Sequence, residues 1–265
     1  MRAVLRDVGL LWLSFRLGAL DALQYRADFF VQLVQSSVGL VTALAGVAVV
    51  FGQTDRLAGW SQDELFALIG VFTLVGGLIG MVIRPSMERL MEGVRLGTLD
   101  FALTKPADAQ VLVSIQRVDV WRTVDVVLGA GLLLIAISRL GQHIGPAQAI
   151  AFGLVLVAGV VIIYSFLLIL ATLAFWLVRL ENILVIFGSM YEAGRWPVGI
   201  YPTWLRATLT FIVPVAFAIT IPVESLVGRL EPTTLIGTLL LAAGFLVGSR
   251  LIWKLGLRHY TGASA

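Results

Sequence analysis

Thirty-one consecutive residues, Ala147 to Leu177, carry no charged side chain. As a helix this run is about 46 Å long, against roughly 30 Å of bilayer hydrocarbon, so it must tilt or project beyond the apolar layer. Shorter apolar runs recur along the chain, two of them with a single charge near one end. Phe29–Phe51, Leu65–Ile83, Val124–Ser138, a stretch from Asn182 to Met190 and Leu235–Trp253 complete an expected set of six spans. The 265 residues are 59% hydrophobic and 13% charged, which no soluble interior of this size could hide. A transmembrane barrel would spread its apolar residues over alternating strands of about ten residues. Long uninterrupted runs instead predict helices, which satisfy their own backbone hydrogen bonds where there is no water. The expected fold is an all-α, polytopic helical bundle.

The first 28 residues read differently. Arg2, Arg6, Asp7, Ser14, Asp21 and Gln24 fall within half a helical turn, opposite Leu5, Leu11, Trp12, Phe15 and Leu23. This pattern predicts an amphipathic helix on the membrane surface over residues 1–28, either steering the first span or anchoring the N-terminus. Its charges and the lack of a small-residue cleavage pattern predict that it is no signal peptide.

Residues 84–122 form the one long polar segment, with Arg84, Arg89, Arg95, Lys105, Arg117 and Arg122. Placing it and both termini in the cytoplasm puts fourteen of the 19 Lys and Arg inside and five outside. This count assumes that the apolar run 207–223, which holds Pro214 and Pro222, enters and leaves on one side as a broken or re-entrant hairpin. A complete span there would put the C-terminus and its basic residues outside. The basic residues are scattered over loops, which speaks against nucleic acid as a partner. Gly76-x-x-x-Gly80 permits close helix approach, more as packing than as a dimer signal, and the last span contains Gly244-x-x-x-Gly248.

The absences narrow function. There is no cysteine, no phosphate-binding Gly-x-x-x-x-Gly-Lys-Ser/Thr loop, no His-Glu-x-x-His pair and no expected metal or cofactor site. Buried charges that could couple transport to an ion gradient are scarce. Asp125 and Glu192 lie near span ends, within reach of Arg122 and Arg195, and read as interfacial charges. A transporter so equipped needs an external motor, and the polar segment is where one would dock. Within it Ser86 can cap a helix through Met87, Leu90, Met91 and Val94 that stops at Gly97. Its apolar stripe suits a protein partner; the alternative is a helix lying on lipid headgroups.

The stretch Arg95-x-Gly97-Thr98-Leu99-Asp100-x-x-Leu103-x-Lys105-Pro106 resembles the segment after the second span in bacterial ABC-2 (type-2 ABC exporter) permeases. Gln24-Tyr25-Arg26, Gly59-Trp60-Ser61-x-x-Glu64, Pro197-x-x-x-Tyr201-Pro202 and the run from Ile212-x-Pro214 to Pro222 fit the same family in order. The resemblance implies a six-span permease subunit of the bacterial inner membrane. It would pair with a second permease, identical or homologous, and with two copies of a cytoplasmic ATPase that holds the ATP and Mg. It assigns ATPase coupling to Arg95, Gly97, Leu99, Asp100, Leu103, Lys105 and Pro106. It also implies an outer-side hairpin over about 195–229, marked by Pro197, Tyr201, Pro202, Pro214 and Pro222.

Candidate translocation-path residues are the polar groups of the first span, Gln32, Gln35, Ser36 and Ser37, and of the fifth, Asn182, Ser189, Tyr191 and Glu192. Hydrogen bonding between helices of one subunit is the other use for them. The rival function is a membrane scaffold or assembly subunit without transport.

Overall fold

The computed structural model describes residues 26–105, 108–140, 144–177 and 182–260. Helix α1 (Arg26–Phe51) lies against the rest of the molecule by one face only, and Phe30, Val34, Val38 and Val41 point away from it. The amphipathic helix expected over residues 1–28 lies outside the described residues, except that 26–28 belong to α1.

A tight turn through Ala58 (φ 50) and Gly59 (φ 87) lets Leu57 and Trp60 exchange backbone hydrogen bonds of 3.0 and 2.9 Å. Ser61 then caps α2 (Gln62–Leu78) reciprocally: its hydroxyl accepts from the Glu64 N–H, and its own N–H donates to the Glu64 carboxylate at 2.8 Å.

Helix α2 does not stop where the apolar run stops. It passes through a widened turn, Ile79–Ile83, into α3 (Arg84–Arg95), giving 34 continuous helical residues from Gln62 to Arg95. The widening follows from Pro85, which has no N–H for the Met81 carbonyl; that carbonyl accepts instead from Asp119 N–H at 2.8 Å. Ser86 therefore starts no new helix, contrary to expectation. It is fully buried, and its hydroxyl donates to the Arg117 carbonyl at 3.0 Å. The predicted stop at Gly97 is present: Gly97 takes φ 68, while its N–H bonds Val94 and that of Thr98 bonds Gly93.

Two short helices follow, α4 (Asp100–Leu103) and α5 (Ala109–Ser114). The chain returns through α6 (Thr123–Arg139) and α7 (Pro146–Thr172), whose helical turns continue to Phe175 and so fill the 31-residue run. Next come α8 (Ile183–Glu192), α9 (Thr203–Ala207), a wide turn at Thr208–Ile212, α10 (Val215–Ala218) and α11 (Thr220–Leu226). The last helix is α12 (Pro232–His259).

Among the described residues there is no strand, and five helical stretches are long and apolar enough to cross a membrane. The stretch expected as the fifth span is different. Helix α8 has ten residues, about 15 Å, or half of the hydrocarbon thickness. A Cβ on Gly194, just past its end, would stand 2.5 Å from Ile219 and 2.6 Å from Val215, so the arm Val215–Leu226 takes up where α8 leaves off. The arm before it, Thr203–Ile212, meets this one at a 70° bend where Val213 is extended ahead of Pro214. Helix α8 and the arm Val215–Leu226 thus meet end to end, with the arm Thr203–Ile212 of the bent pair between them in sequence.

Glycine sets the closest packing. A Cβ on Gly129 of α6 would lie 2.3 Å from the Leu74 nitrogen; on Gly70 and Gly77 of α2 it would lie 2.8 and 2.7 Å from Leu133 and Val126 of α6. Gly76 and Gly80 face Tyr191 and Arg122 instead, and Gly244 and Gly248 face open space. Neither Gly-x-x-x-Gly pair therefore lies in the α2–α6 seam.

Candidate functional site

One end of the bundle is fixed by Arg229, which donates to Glu64 at 2.6 Å and to the Gly59 carbonyl at 3.2 Å while its guanidinium lies 5.3 Å from the Trp60 ring centroid. The other end holds Arg84, Arg117 and the start of α1, where Gln32 donates to Asp125 at 3.1 Å. Both ends of the described chain lie there, since Arg250 of α12 reaches Asp108.

Between α1 and α8, with α2 as its back wall, lies a cleft of about 800 Å³. Six sequence candidates line it together: Gln32, Gln35, Ser36, Ser189, Tyr191 and Glu192. Ser37 and Asn182 do not. Phe72, Thr73 and Gly76 of α2 and Gly80 of the widened turn complete the wall, and Arg84, Glu88, Arg117, Asp119, Arg122 and Asp125 surround the mouth at the Arg117 end. The charges there are mostly paired: Arg84 with Glu88 at 3.0 Å and Arg122 with Asp125 at 3.1 Å. Arg117 makes no side-chain hydrogen bond or ion pair to the described residues.

The far end of the cleft is built around α2. Tyr191 stacks on Phe72, with ring centroids 4.9 Å apart, and its hydroxyl donates to the Phe72 carbonyl at 2.8 Å. Arg195 pairs with Glu192 at 2.6 Å and sits over the same Phe72 ring at 5.2 Å.

Phe72 is ten residues from Gln62 and twelve from Arg84, about 15 and 18 Å along the helix. A second ruler agrees: Gly194 abuts Ile219, and the neighbouring Ala218 abuts Gly159, fourteen residues into α7, or about 21 Å from its start. Glu192 and Arg195 therefore stand halfway through the bundle. The pairing expected from sequence is present, but its interfacial location is corrected: α8 ends at mid-depth and carries the pair there. A charge pair at such depth is costly unless partnered and reached by water, which the cleft supplies.

In the segment beyond α3, Arg95, Leu103 and Lys105 are exposed, Gly97 makes the helix stop and Asp100 opens α4. Leu99 is only 3% exposed and faces the core, so it anchors this segment and does not present it. Pro106 lies outside the described residues. The most exposed apolar side chains are Phe101, at 76%, and Leu96, neither of which the sequence motif singles out; Leu103, which it does, is less exposed. Phe101 follows Asp100 directly, and its aromatic character on a polar segment was the available signal.

A second missed group ties this segment to the helices. Asp108 caps α5 by accepting from Gln110 and Val111 N–H at 2.9 and 3.3 Å, and is gripped by both terminal nitrogens of Arg250, one at 2.8 Å. Arg250 also donates to Gln110 at 2.9 Å; Ser114 and Tyr164 of α7 are 2.7 Å apart. The Arg250 hydrogen bond holds the Asp108 carboxyl below the usual carboxylate range, against a smaller opposing effect of burial. Sequence could not pair residues 142 positions apart. Among the described residues no three His, Asp or Glu gather to hold a metal ion.

The hairpin prolines each mark a break. Pro197 and Pro202 precede short helical turns, Pro214 sits at the bend and Pro222 lies in the first turn of α11, where its missing N–H is tolerated. Tyr201 donates to the Ala193 carbonyl at 2.9 Å, tying the hairpin back to α8.

Long apolar helices packed around a cleft define a polytopic α-helical membrane protein. The chain belongs to the ABC-2 family: the family model described as ABC-2 family transporter protein matches residues 38–264. No curated protein and no solved structure gives a match.

Proposed function

We propose that the chain is the permease subunit of an ATP-binding cassette exporter in a bacterial inner membrane, driven by a separate ATPase. The observation that carries this reading is the joint location of two features at the Arg117 end: the mouth of the cleft and the exposed segment with Leu96 and Phe101. With no motor of its own, the chain receives energy through that segment, and the cleft is the path. The distribution of basic residues supports a cytoplasmic Arg117 end with both termini on that side. Two ATPase copies, carrying ATP and Mg, dock there.

A second permease, identical or homologous, closes the cleft. Gln35, Ser189 and Glu192 are exposed along it, and such groups do not face hydrocarbon. Alternating exposure then follows from the ATPase favouring one arrangement of the two permeases over the other.

Co-expression with neighbouring genes tests this: an ATPase should co-purify, and inverted vesicles should show ATP-dependent uptake that Gly97→Val or Asp100→Ala abolishes. ATP hydrolysis indifferent to those changes, with no co-purifying ATPase, would leave the scaffold reading.

A further inference from the structure

We propose that Glu192 and the face of the Phe72 ring form a seat for the cationic head of an amphiphilic substrate, a seat that Arg195 fills when no substrate is bound. The inference rests on the cleft being the transport path. A carboxylate beside an aromatic face is the chemistry that recognises ammonium and guanidinium groups. Arg195 occupies this seat in an incompletely satisfied way: one terminal nitrogen bonds Glu192 at 2.6 Å, while its buried Nε has no acceptor among the described residues. Glu192 is the partner turned toward the cleft, its side chain 59% exposed against 32% for Arg195. An arriving group meets the carboxylate first, so a cation is attracted and an anion repelled.

Exchange of one cation for another keeps the Glu192 carboxylate paired. The seat itself is rigid, because the Tyr191 hydroxyl bonds the Phe72 backbone and its ring stacks on Phe72. The cleft has the volume of a drug-sized ligand, and Leu40, Ala43 and Ile69 supply apolar walls for the body of the molecule. Arg195 lies immediately before the broken hairpin, so its displacement carries occupancy of the seat to that hairpin.

The test uses a matched pair of hydrophobic ions, tetraphenylphosphonium and tetraphenylborate, with the purified full chain in phosphatidylcholine nanodiscs, binding being read above that of empty discs. The phosphonium should bind and the borate should not. Glu192→Gln should weaken phosphonium binding about tenfold or more, and Phe72→Leu about three- to tenfold. Arg195→Gln should tighten it by vacating the seat. Glu192→Asp, which retains the charge, should bind more tightly than Glu192→Gln, and serves if the amide variant does not fold. Phosphonium binding untouched by Glu192→Gln, or borate binding that depends on Arg195, overturns the proposal. No ATPase is needed in this assay, so failure of an ATPase to co-purify refutes the exporter reading and not the seat.

Discussion

Replacing Gly129 by alanine isolates what the α2–α6 seam contributes. The added Cβ would stand 2.3 Å from the Leu74 nitrogen and 2.8 Å from the Leu74 Cα and the Gly70 oxygen, where ordinary contact begins at 3.4 Å. All three are backbone atoms, so no side chain can swing aside, and the helices must separate by about 1 Å. A gap of that size forfeits a quarter to a half of each dispersion contact along the seam. Overpacking of this kind costs about 1–3 kcal/mol, net of the better helix propensity of alanine. For a chain of this length that corresponds to a fall in Tm of about 2–12 °C. Gly131→Ala is the control: it lies on the same helix, where nothing approaches its Cβ position within 4 Å, and it should melt at or slightly above the parent. The measurement is thermal denaturation of both variants in the same detergent, followed by tryptophan emission and by loss of the monodisperse peak. A Gly129→Ala protein that melts within a degree of Gly131→Ala refutes the close-packed seam.

Other consequences are as direct. Phe101→Asp should abolish ATPase co-purification while leaving the melting temperature of the isolated chain unchanged, since the ring is exposed. Leu99→Ala should instead lower stability by about 2–5 kcal/mol, as expected for a buried leucine, measured by the same melts. Tyr191→Phe removes one buried hydrogen bond and should cost about 0.5–1.5 kcal/mol, because the Phe72 carbonyl keeps its helical N–H donor. Asp108→Asn keeps the cap of α5 but removes the ion pair with Arg250, and should loosen the segment after α4 and raise its protease susceptibility; Asp108→Ala, which loses both, should raise it further. The carboxyl of Asp108 is held below its ordinary value of 3.8, so its contribution is complete above that pH and is lost as pH falls through the lowered value. Protection should therefore persist at neutral pH and fade in strong acid.

The sequence and the structure part at identifiable residues. Long apolar runs predict α1, α2, α6, α7 and α12 because hydrocarbon imposes length and backbone satisfaction on any chain that enters it. The helix stop at Gly97 was equally legible, since only a positive φ ends that turn. Ser86 misled because a capping residue inside a continuous helix looks the same in sequence as one at a start. What separates the cases is Asp119, which takes the carbonyl that Pro85 leaves free and lets the helix run on.

The path candidates were chosen as polar residues in apolar runs, and six of them share one cleft. Arg195 was assigned to the outer surface because counting charges between spans assumes that each span is complete. Helix α8 ends halfway, so the count placed this charge at the wrong depth.

The sequence by itself determined that this chain is a bundle of membrane-crossing helices with one large polar segment, because those properties are local: they depend on run length, on charge and on turn chemistry. Only the tertiary structure decided that the stretch expected as the fifth span stops after ten residues and meets the arm Val215–Leu226, that Gly70, Gly77 and Gly129 close the main seam, and that Asp108 meets Arg250. These depend on which backbone stands against which, and pairings across such sequence distances leave no trace in local composition.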